Sequence, residues 1–572
     1  MNRAEARDLF WLLLYGLALI GLGIGLRDPW PADEPRFVLV AQQMLSSGEW
    51  WFPHRGHELY ADKPPFFFWL LAASHWLTGG WRGSFLLPSL LAALTTVALT
   101  WDLARRLWGR EVAVWAGGAL LVCVHFVFHA RRAQIDPTLV LLTTLSLYGL
   151  LRHLLLGPDW RWFWAGCFAA GLGVIAKGVG FLPLLALLPW WLMRRGGWSG
   201  LAQLAPGNRL RWWLGGLAFG LALALWLVPV VSIALIGGQP EHRTYLEEIL
   251  FRQTAVRYAD AWMHRQPAWY FLDVIAFAWL PLSLALPWLI RPWRDAWRQA
   301  DARVWLPLAW AGLVLVFFTL SSGKRDVYIL PALPAIALAA APWLAAVAAR
   351  PWPRRLGLGL YGFVGLALIG GSVWALAGTP EFAERLVNRR GFDPGFAGIW
   401  WLTLVTGAIL LLVLVGSARR SFLTALLAAQ LVLFASYGLA FYPLLDASSS
   451  GRQLMHEARD RAGPETTIGL VGWREQMLLQ RVGPVVEFGF SVAHPMQWRR
   501  GLTWLGQRPD ARALLVEEAQ LGACVDRSVA VDLGVANRRH WWLVPGQAAR
   551  DCPGPGTPPA ERRTPEVRES GS

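Results

Sequence analysis

The chain has 572 residues, 55% of them hydrophobic and 16% charged, with a net charge of +15 and a mean hydropathy of +0.38. Soluble domains carry about 25% charged residues, so an ordinary globular enzyme is excluded. The positive charge does not describe a nucleic-acid binder, because the arginines fall in short clusters between apolar runs rather than on one basic face.

A helix that crosses a bilayer needs about 20 apolar residues and must satisfy its own backbone hydrogen bonds. On that rule we expect about thirteen spans, beginning near residues 9, 84, 111, 136, 162, 181, 212, 268, 303, 328, 356, 397 and 421. The first run, roughly Leu9 to Leu26, follows Arg3 and Arg7 and lacks an A-x-A-like cleavage site. It reads as a retained helix and not a signal peptide. Residues 27–83 are too long for a mere connection; within them Glu34–Leu45 and Pro64–Leu77 read as short amphipathic helices at the interface. A second non-spanning loop covers 237–267. Beyond residue 441 the chain turns polar, with short apolar runs at Thr467–Val471, Val485–Phe488, Ala513–Val516 and Trp541–Val544. These predict a small α/β domain over 442–572, whose last twenty or so residues are Pro-, Gly- and charge-rich and expected to be disordered. The predicted fold class is therefore mainly α: a polytopic transmembrane domain over 1–441 and a small soluble C-terminal domain. No internal repeat is visible.

Orientation follows from Arg105/Arg106/Arg110, Arg194/Arg195/Arg209/Arg211, Arg291/Arg294/Arg298/Arg303, Arg350/Arg354/Arg355 and Arg419/Arg420, which fall in alternate loops. The positive-inside rule makes that side, and the N-terminus, cytoplasmic. An odd span count then sends the tail outside, to the periplasm in a bacterium. Tryptophan, at 37 residues, gathers at the ends of apolar runs, as an interfacial belt does. Cys123 and Cys167 lie inside such runs. Cys524 and Cys552 lie in the tail, where an oxidising compartment permits a disulfide; two unpaired thiols are the alternative.

Several polar strings map to the outer side of this topology. Trp30-Pro31-Ala32-Asp33-Glu34-Pro35-Arg36 puts two carboxylates just after the first span. Either could be a general base or the cap of the helix that follows. In Tyr60-Ala61-Asp62-Lys63-Pro64-Pro65, a rigid Pro-Pro pair pins Lys63 where an ammonium suits a phosphate, with Tyr60 beside it as a hydrogen-bond donor. A snorkelling interfacial lysine is the plainer reading. Asp136 follows Arg131-Arg132-Ala133-Gln134-Ile135 at the mouth of the fourth span, and Pro137 after it also fits a helix start. Lys177 closes the fifth span; Lys324 and Tyr328 open the tenth; Arg257 and His264 lie in the second outer loop. Ionisable groups at a membrane edge are functional candidates by default.

Taken together, Trp-Pro-Ala-Asp-Glu-Pro-Arg, Asp-Lys-Pro-Pro, Arg-Arg-Ala-Gln-Ile-Asp-Pro-Thr, Ala-Lys-Gly and Gly-Lys-x-x-x-Tyr-Ile-Leu-Pro resemble the GT-C aminoarabinose transferases of lipid A and the related protein O-mannosyltransferases. The resemblance covers about residues 9 to 340 in order. It implies that Asp33, with Glu34 and Asp136, serves catalysis. It implies that Lys63, Tyr60, Arg257, Lys324 and Tyr328 meet the donor phosphate, with Lys177, Asp62 and His264 as further site residues. Two departures stand out: Asp62 replaces a common glutamate, and Phe37 replaces a tyrosine four residues after the catalytic acid.

The resulting expectation is an inverting transfer of an aminoarabinose-like sugar from a polyprenyl-phosphate donor to lipid A on the periplasmic side, with a protein or another envelope glycan as the alternative acceptor. No nucleotide cofactor and no catalytic metal are expected. A transporter of lipid-linked sugars is the rival from another class, but transporters show repeated halves and broken helices near the midplane, whereas here the polar residues gather at one face and no repeat is visible. A functional tail on a membrane anchor would not need so many spans.

Overall fold

The computed structural model describes residues 1–205, 207–250, 265–378, 380–393, 395–418, 421–549 and 552. They form two compact units: Met1–Val387 with Asp393–Ser450, and Asn388–Phe392 with the chain from Gly451 onward.

The first unit is helical because its sequence consists of long apolar runs, and a helix is the one way such a run can pair its backbone without water. Eight described helices are long and apolar enough to cross a membrane: Trp81–Trp108, Ile135–Leu156, Arg209–Ile236, Ala302–Leu320, Asp326–Ala348, Pro351–Gly378, Gly398–Ser417 and Phe422–Ser450. The bent pairs Arg110–Val122 with Val124–Ala130 and Tyr270–Ala278 with Leu282–Arg298 make ten if each is one span. The other three of the anticipated runs are helical but fall short of that length or composition. Arg3–Gly21 carries Arg3, Glu5, Arg7 and Asp8 in its first turns; Trp160–Lys177 is diluted by tryptophans and terminal charges; and Leu182–Arg195 is broken into a 3-10 turn and a short helix.

Local chemistry explains the packing that frames the site. Gly149 and Gly166 face each other where Ile135–Leu151 crosses Trp160–Lys177; a Cβ on Gly149 would strike the Trp162 carbonyl. Small residues at that contact let the two backbones touch. The 67° bend between Val122 and Val124 leaves no orphan at Val124, whose N–H donates to Leu280 O at 2.9 Å.

Residues 27–83 contain the two anticipated short helices, Glu34–Ser47 and Phe66–Thr78. They also contain a hairpin, β1 (His54–Arg55) with β2 (Glu58–Leu59), too short to leave any periodicity in the sequence.

The second unit holds a five-stranded sheet in the order β4-β3-β5-β7-β6, where β3 is Thr467–Val471, β4 Val485–Glu487, β5 Arg512–Glu517, β6 Val531–Ala536 and β7 Arg539–Pro545. β4, β3 and β5 are parallel, and β7 runs antiparallel to β5 and β6. β6 escaped the sequence reading because Asp532 and Gly534 interrupt its alternation and a bulge lies between Asp532 and Val535. The unit starts at Gly451 and not at 442, because the last membrane helix continues to Ser450, where Leu445 and Ser450 are still buried. Cys524 and Cys552 are disulfide-bonded. The residues expected to be disordered, 553–572, lie outside the described ones.

Candidate active site

The two adjacent carboxylates that open the helix Glu34–Ser47 do different jobs. Asp33 occupies the N-cap position but makes no capping hydrogen bond, so the structure does not use it as a cap. Its Oδ2 accepts from Gln134 Nε2 at 3.2 Å and lies 3.6 Å from Arg325 Nη2. Its Oδ1 lies 3.8 Å from Arg36 Nη1. The side chain keeps 19% of its surface exposed. The result is an acceptor-only carboxylate, ringed by donors yet reachable from one edge.

Glu34 is instead buried. Its Oε2 takes Arg27 Nη1 at 2.5 Å and Trp30 N at 2.8 Å; its Oε1 takes Arg27 Nη2 at 2.8 Å and Ala133 N at 3.1 Å. Its lone pairs are committed to holding three segments together. The Arg27 guanidinium also sits over the rings of Trp30 and Tyr442, each 4.8 Å away. Asp446 ties the same loop to the last membrane helix, accepting from Asp28 N and Trp30 Nε1 at 2.8 Å and from Arg82 Nη2 at 3.0 Å. Arg131 donates to Leu19 O and Leu22 O at 2.6 and 2.7 Å, answering the carbonyl end of the first helix.

Asp136 and Lys177, separate candidates in the sequence, meet as an ion pair at 2.5 Å. Each is mostly covered, with 14% and 19% of its side chain exposed. The Lys177 ammonium also stands 5.0 Å above the Tyr328 ring, and Tyr328 packs on Phe318. Asp136 is therefore ion-paired, and Tyr328 presents its ring to Lys177. Lys324 is buried, its ammonium donating to Ser321 O at 2.9 Å and Gln266 O at 3.2 Å. That arrangement clamps a loop.

Lys63 is half-buried and Asp62 exposed in the turn that leads into Phe66–Thr78. Tyr60 is buried, with the Arg55 guanidinium 5.3 Å from its ring. Burial first, and then the Asp62 carboxylate, push the Tyr60 phenol well above its ordinary value, while Arg36 and Arg55 oppose them. The phenol thus stays a proton donor across the physiological range. Arg257 and His264 lie outside the described residues.

Sequence reasoning missed Arg36, Arg325 and Gln134, although each lies inside a string already singled out. It also passed over His125, His129 and Asp326, whose ligand atoms lie within 4.8 Å of one another.

Residues 62–227 match the family model described as dolichyl-phosphate-mannose-protein mannosyltransferase. Over 95% of this chain and 98% of the other, the fold is similar to ArnT from Cupriavidus metallidurans, solved bound to undecaprenyl phosphate, with a TM-score of 0.71 and 19% identity. The fold is GT-C. Among curated proteins, the chain resembles the undecaprenyl phosphate-alpha-4-amino-4-deoxy-L-arabinose arabinosyl transferase of Pseudomonas aeruginosa, 32% identical over 59% of each chain. It is 28% identical to the same-named protein of Pectobacterium carotovorum over 69% of this chain and 67% of the relative. A further relative from Sodalis glossinidius is 28% identical over 64% of this chain, which spans 66% of that relative's length. The resemblance read from the motifs is thus upheld, as a likeness to lipid-phosphate-sugar glycosyltransferases, by the family model and the curated relatives, while the solved structure shares the fold.

Proposed function

We propose that this GT-C chain is an inverting glycosyltransferase of a bacterial inner membrane. It moves a sugar of the aminoarabinose type from a polyprenyl-phosphate donor to lipid A on the periplasmic side. The observation that carries this reading is Asp33: a partly exposed carboxylate flanked by Arg36 and Arg325, in a chain whose relatives are arabinosyl transferases named for undecaprenyl phosphate.

In the reaction, an acceptor hydroxyl gives its proton to Asp33 as its oxygen attacks the anomeric carbon. The bond from that carbon to the phosphate oxygen breaks, and negative charge gathers on the departing polyprenyl phosphate. Lys63, with Arg36, Arg325 and Arg257, meets that charge, and the Tyr60 phenol donates a hydrogen bond beside it. Fixed donors placed where charge develops are the largest single contribution in many enzymes, so these cations take the role that a metal has elsewhere. The basic loop clusters support a cytoplasmic N-terminus and a periplasmic tail.

The test is reconstitution of the purified chain in liposomes with labelled polyprenyl-phosphate aminoarabinose and lipid A. Glycosylated lipid A and free polyprenyl phosphate should appear together, and neither with Asp33→Asn. The match of residues 62–227 to a mannosyltransferase family favours a second reading, a protein acceptor. Labelled protein in place of labelled lipid A would select it.

A further inference from the structure

His125 and His129 are four residues apart on the helix Val124–Ala130, so they share one face. Both are buried, and each Nε2 lies 3.4 Å from Asp326 Oδ2. Two histidines and a carboxylate at this spacing have the composition of a metal triad. Proton bookkeeping points elsewhere.

Trp279 Nε1 lies 3.2 Å from His125 Nδ1. An indole N–H only donates, so this Nδ1 presents its lone pair and the ring's proton sits on Nε2, which lies 3.4 Å from Asp326 Oδ2 without forming a hydrogen bond to it. A nitrogen bearing a proton does not ligate a metal. On the other side, an ionised Asp33 only accepts, so Gln134 turns its NH2 toward Asp33 Oδ2 and its carbonyl oxygen toward His129 Nδ1, 2.8 Å away. That contact requires a proton on Nδ1. His129 Nε2 then faces Asp326 Oδ2, 3.4 Å away. The other titratable groups facing the cluster are Asp136, Arg325 and Tyr270. Every orientation in the line follows from the donor or acceptor next to it.

The turn that carries Gln134 is itself anchored, because Ala133 N donates to Glu34 Oε1. Two neighbouring residues of one turn thus grip two neighbouring carboxylates. We propose that Gln134, held by His129 and through it by Asp326, is the positioning residue that fixes Asp33 Oδ2 and leaves Oδ1 for the acceptor's proton. No proton passes along the line; an amide in its middle only orients. The inference rests on the reading of Asp33 as the general base, and it makes His129 and Asp326 a hydrogen-bonded support for that base, with His125 packed beside them.

The experiment measures steady-state transfer by the full-length protein in liposomes. Gln134→Ala should lower kcat by about 10- to 100-fold, the scale on which misplaced reacting groups act, with donor KM changed by less than about twofold. His129→Leu should fall as far. His129→Asn, whose amide nitrogen stands where Nδ1 stood, should recover most of the rate. The double variant Gln134→Ala/His129→Leu should be no slower than either single one, because both break the same line. A wild-type kcat in Gln134→Ala, additive losses in the double variant, or no recovery in His129→Asn would overturn the proposal. So would stoichiometric bound zinc, measured by elemental analysis, that is lost together with activity in His125→Ala. Asp33→Asn separates the two readings. If it turns over normally, the assignment of Asp33 fails; if it is inactive while Gln134→Ala is normal, only the positioning line fails.

Discussion

Replacing Glu34 with glutamine separates a structural carboxylate from a chemical one. Each carboxylate oxygen accepts two hydrogen bonds, one from Arg27 and one from a backbone N–H. In glutamine one of the two oxygens becomes an NH2 group, so whichever way the amide turns, two buried donors lose their acceptor. An unsatisfied buried group costs about 1–3 kcal/mol, giving roughly 2–6 kcal/mol for the pair. Breaking a buried ion pair by removing one partner costs about 3–5 kcal/mol; the two figures describe the same loss and do not add. We expect Glu34→Gln to destabilise the membrane unit by about 3–5 kcal/mol. Asp33→Asn should differ, since the Asp33 ion contacts are long and its partners are 27% and 41% exposed, which limits each to about 0–1 kcal/mol. Both variants can be unfolded in micelles with rising dodecyl sulfate, following tryptophan fluorescence, with turnover measured on the folded fraction. A Glu34→Gln protein as stable as wild type but inactive would refute this reasoning and return Glu34 to the chemistry.

Lys63→Ala should weaken binding of polyprenyl phosphate by about one to two decades, the equivalent of a charge-assisted hydrogen bond of roughly 1.5–3 kcal/mol; calorimetry with the lipid in detergent reads it directly, and unchanged affinity would leave Lys63 a snorkelling residue. Lys177→Met should destabilise the membrane unit by about 3–5 kcal/mol by stranding Asp136, whereas Lys177→Met with Asp136→Leu should recover most of that loss, as dodecyl sulfate unfolding will show. The Cys524–Cys552 bridge closes a loop with a sequence separation of 28, so Cys524→Ser with Cys552→Ser should lower the tail's stability by roughly 3 kcal/mol on the chain-entropy account. Protease sensitivity of the tail and thiol labelling without reductant check it; two freely alkylated cysteines in the denatured wild-type protein would contradict the bridge.

The helical runs were legible because apolar length is a one-dimensional signal, and the strings around Asp33 and Lys63 were legible because their motifs are local. Pairing was not. Asp136 and Lys177 stand 41 positions apart, and nothing in either string says that they neutralise each other. Arg325 reaches Asp33 only after the tenth run folds back beside the first loop. Asp33 and Glu34 look alike in the sequence, yet the start of a helix sends one to an open edge and the other into the protein. Lys324 read as a free cation on the outer face, while the carbonyls that hold it, Ser321 and Gln266, carry no side-chain signal at all. The tail's central strands showed as apolar runs, but β6, with its polar interruptions, did not.

The central claim is that Asp33 serves sugar transfer to lipid A. Mass spectrometry of lipid A tests it most directly, from a Gram-negative host without aminoarabinose transferase of its own but able to make the polyprenyl-phosphate donor. The wild-type chain should add aminoarabinose to lipid A, and Asp33→Asn, present at equal amount in the membrane, should add none. Lipid A left unmodified by the wild-type chain, or modified equally by Asp33→Asn, would contradict the account.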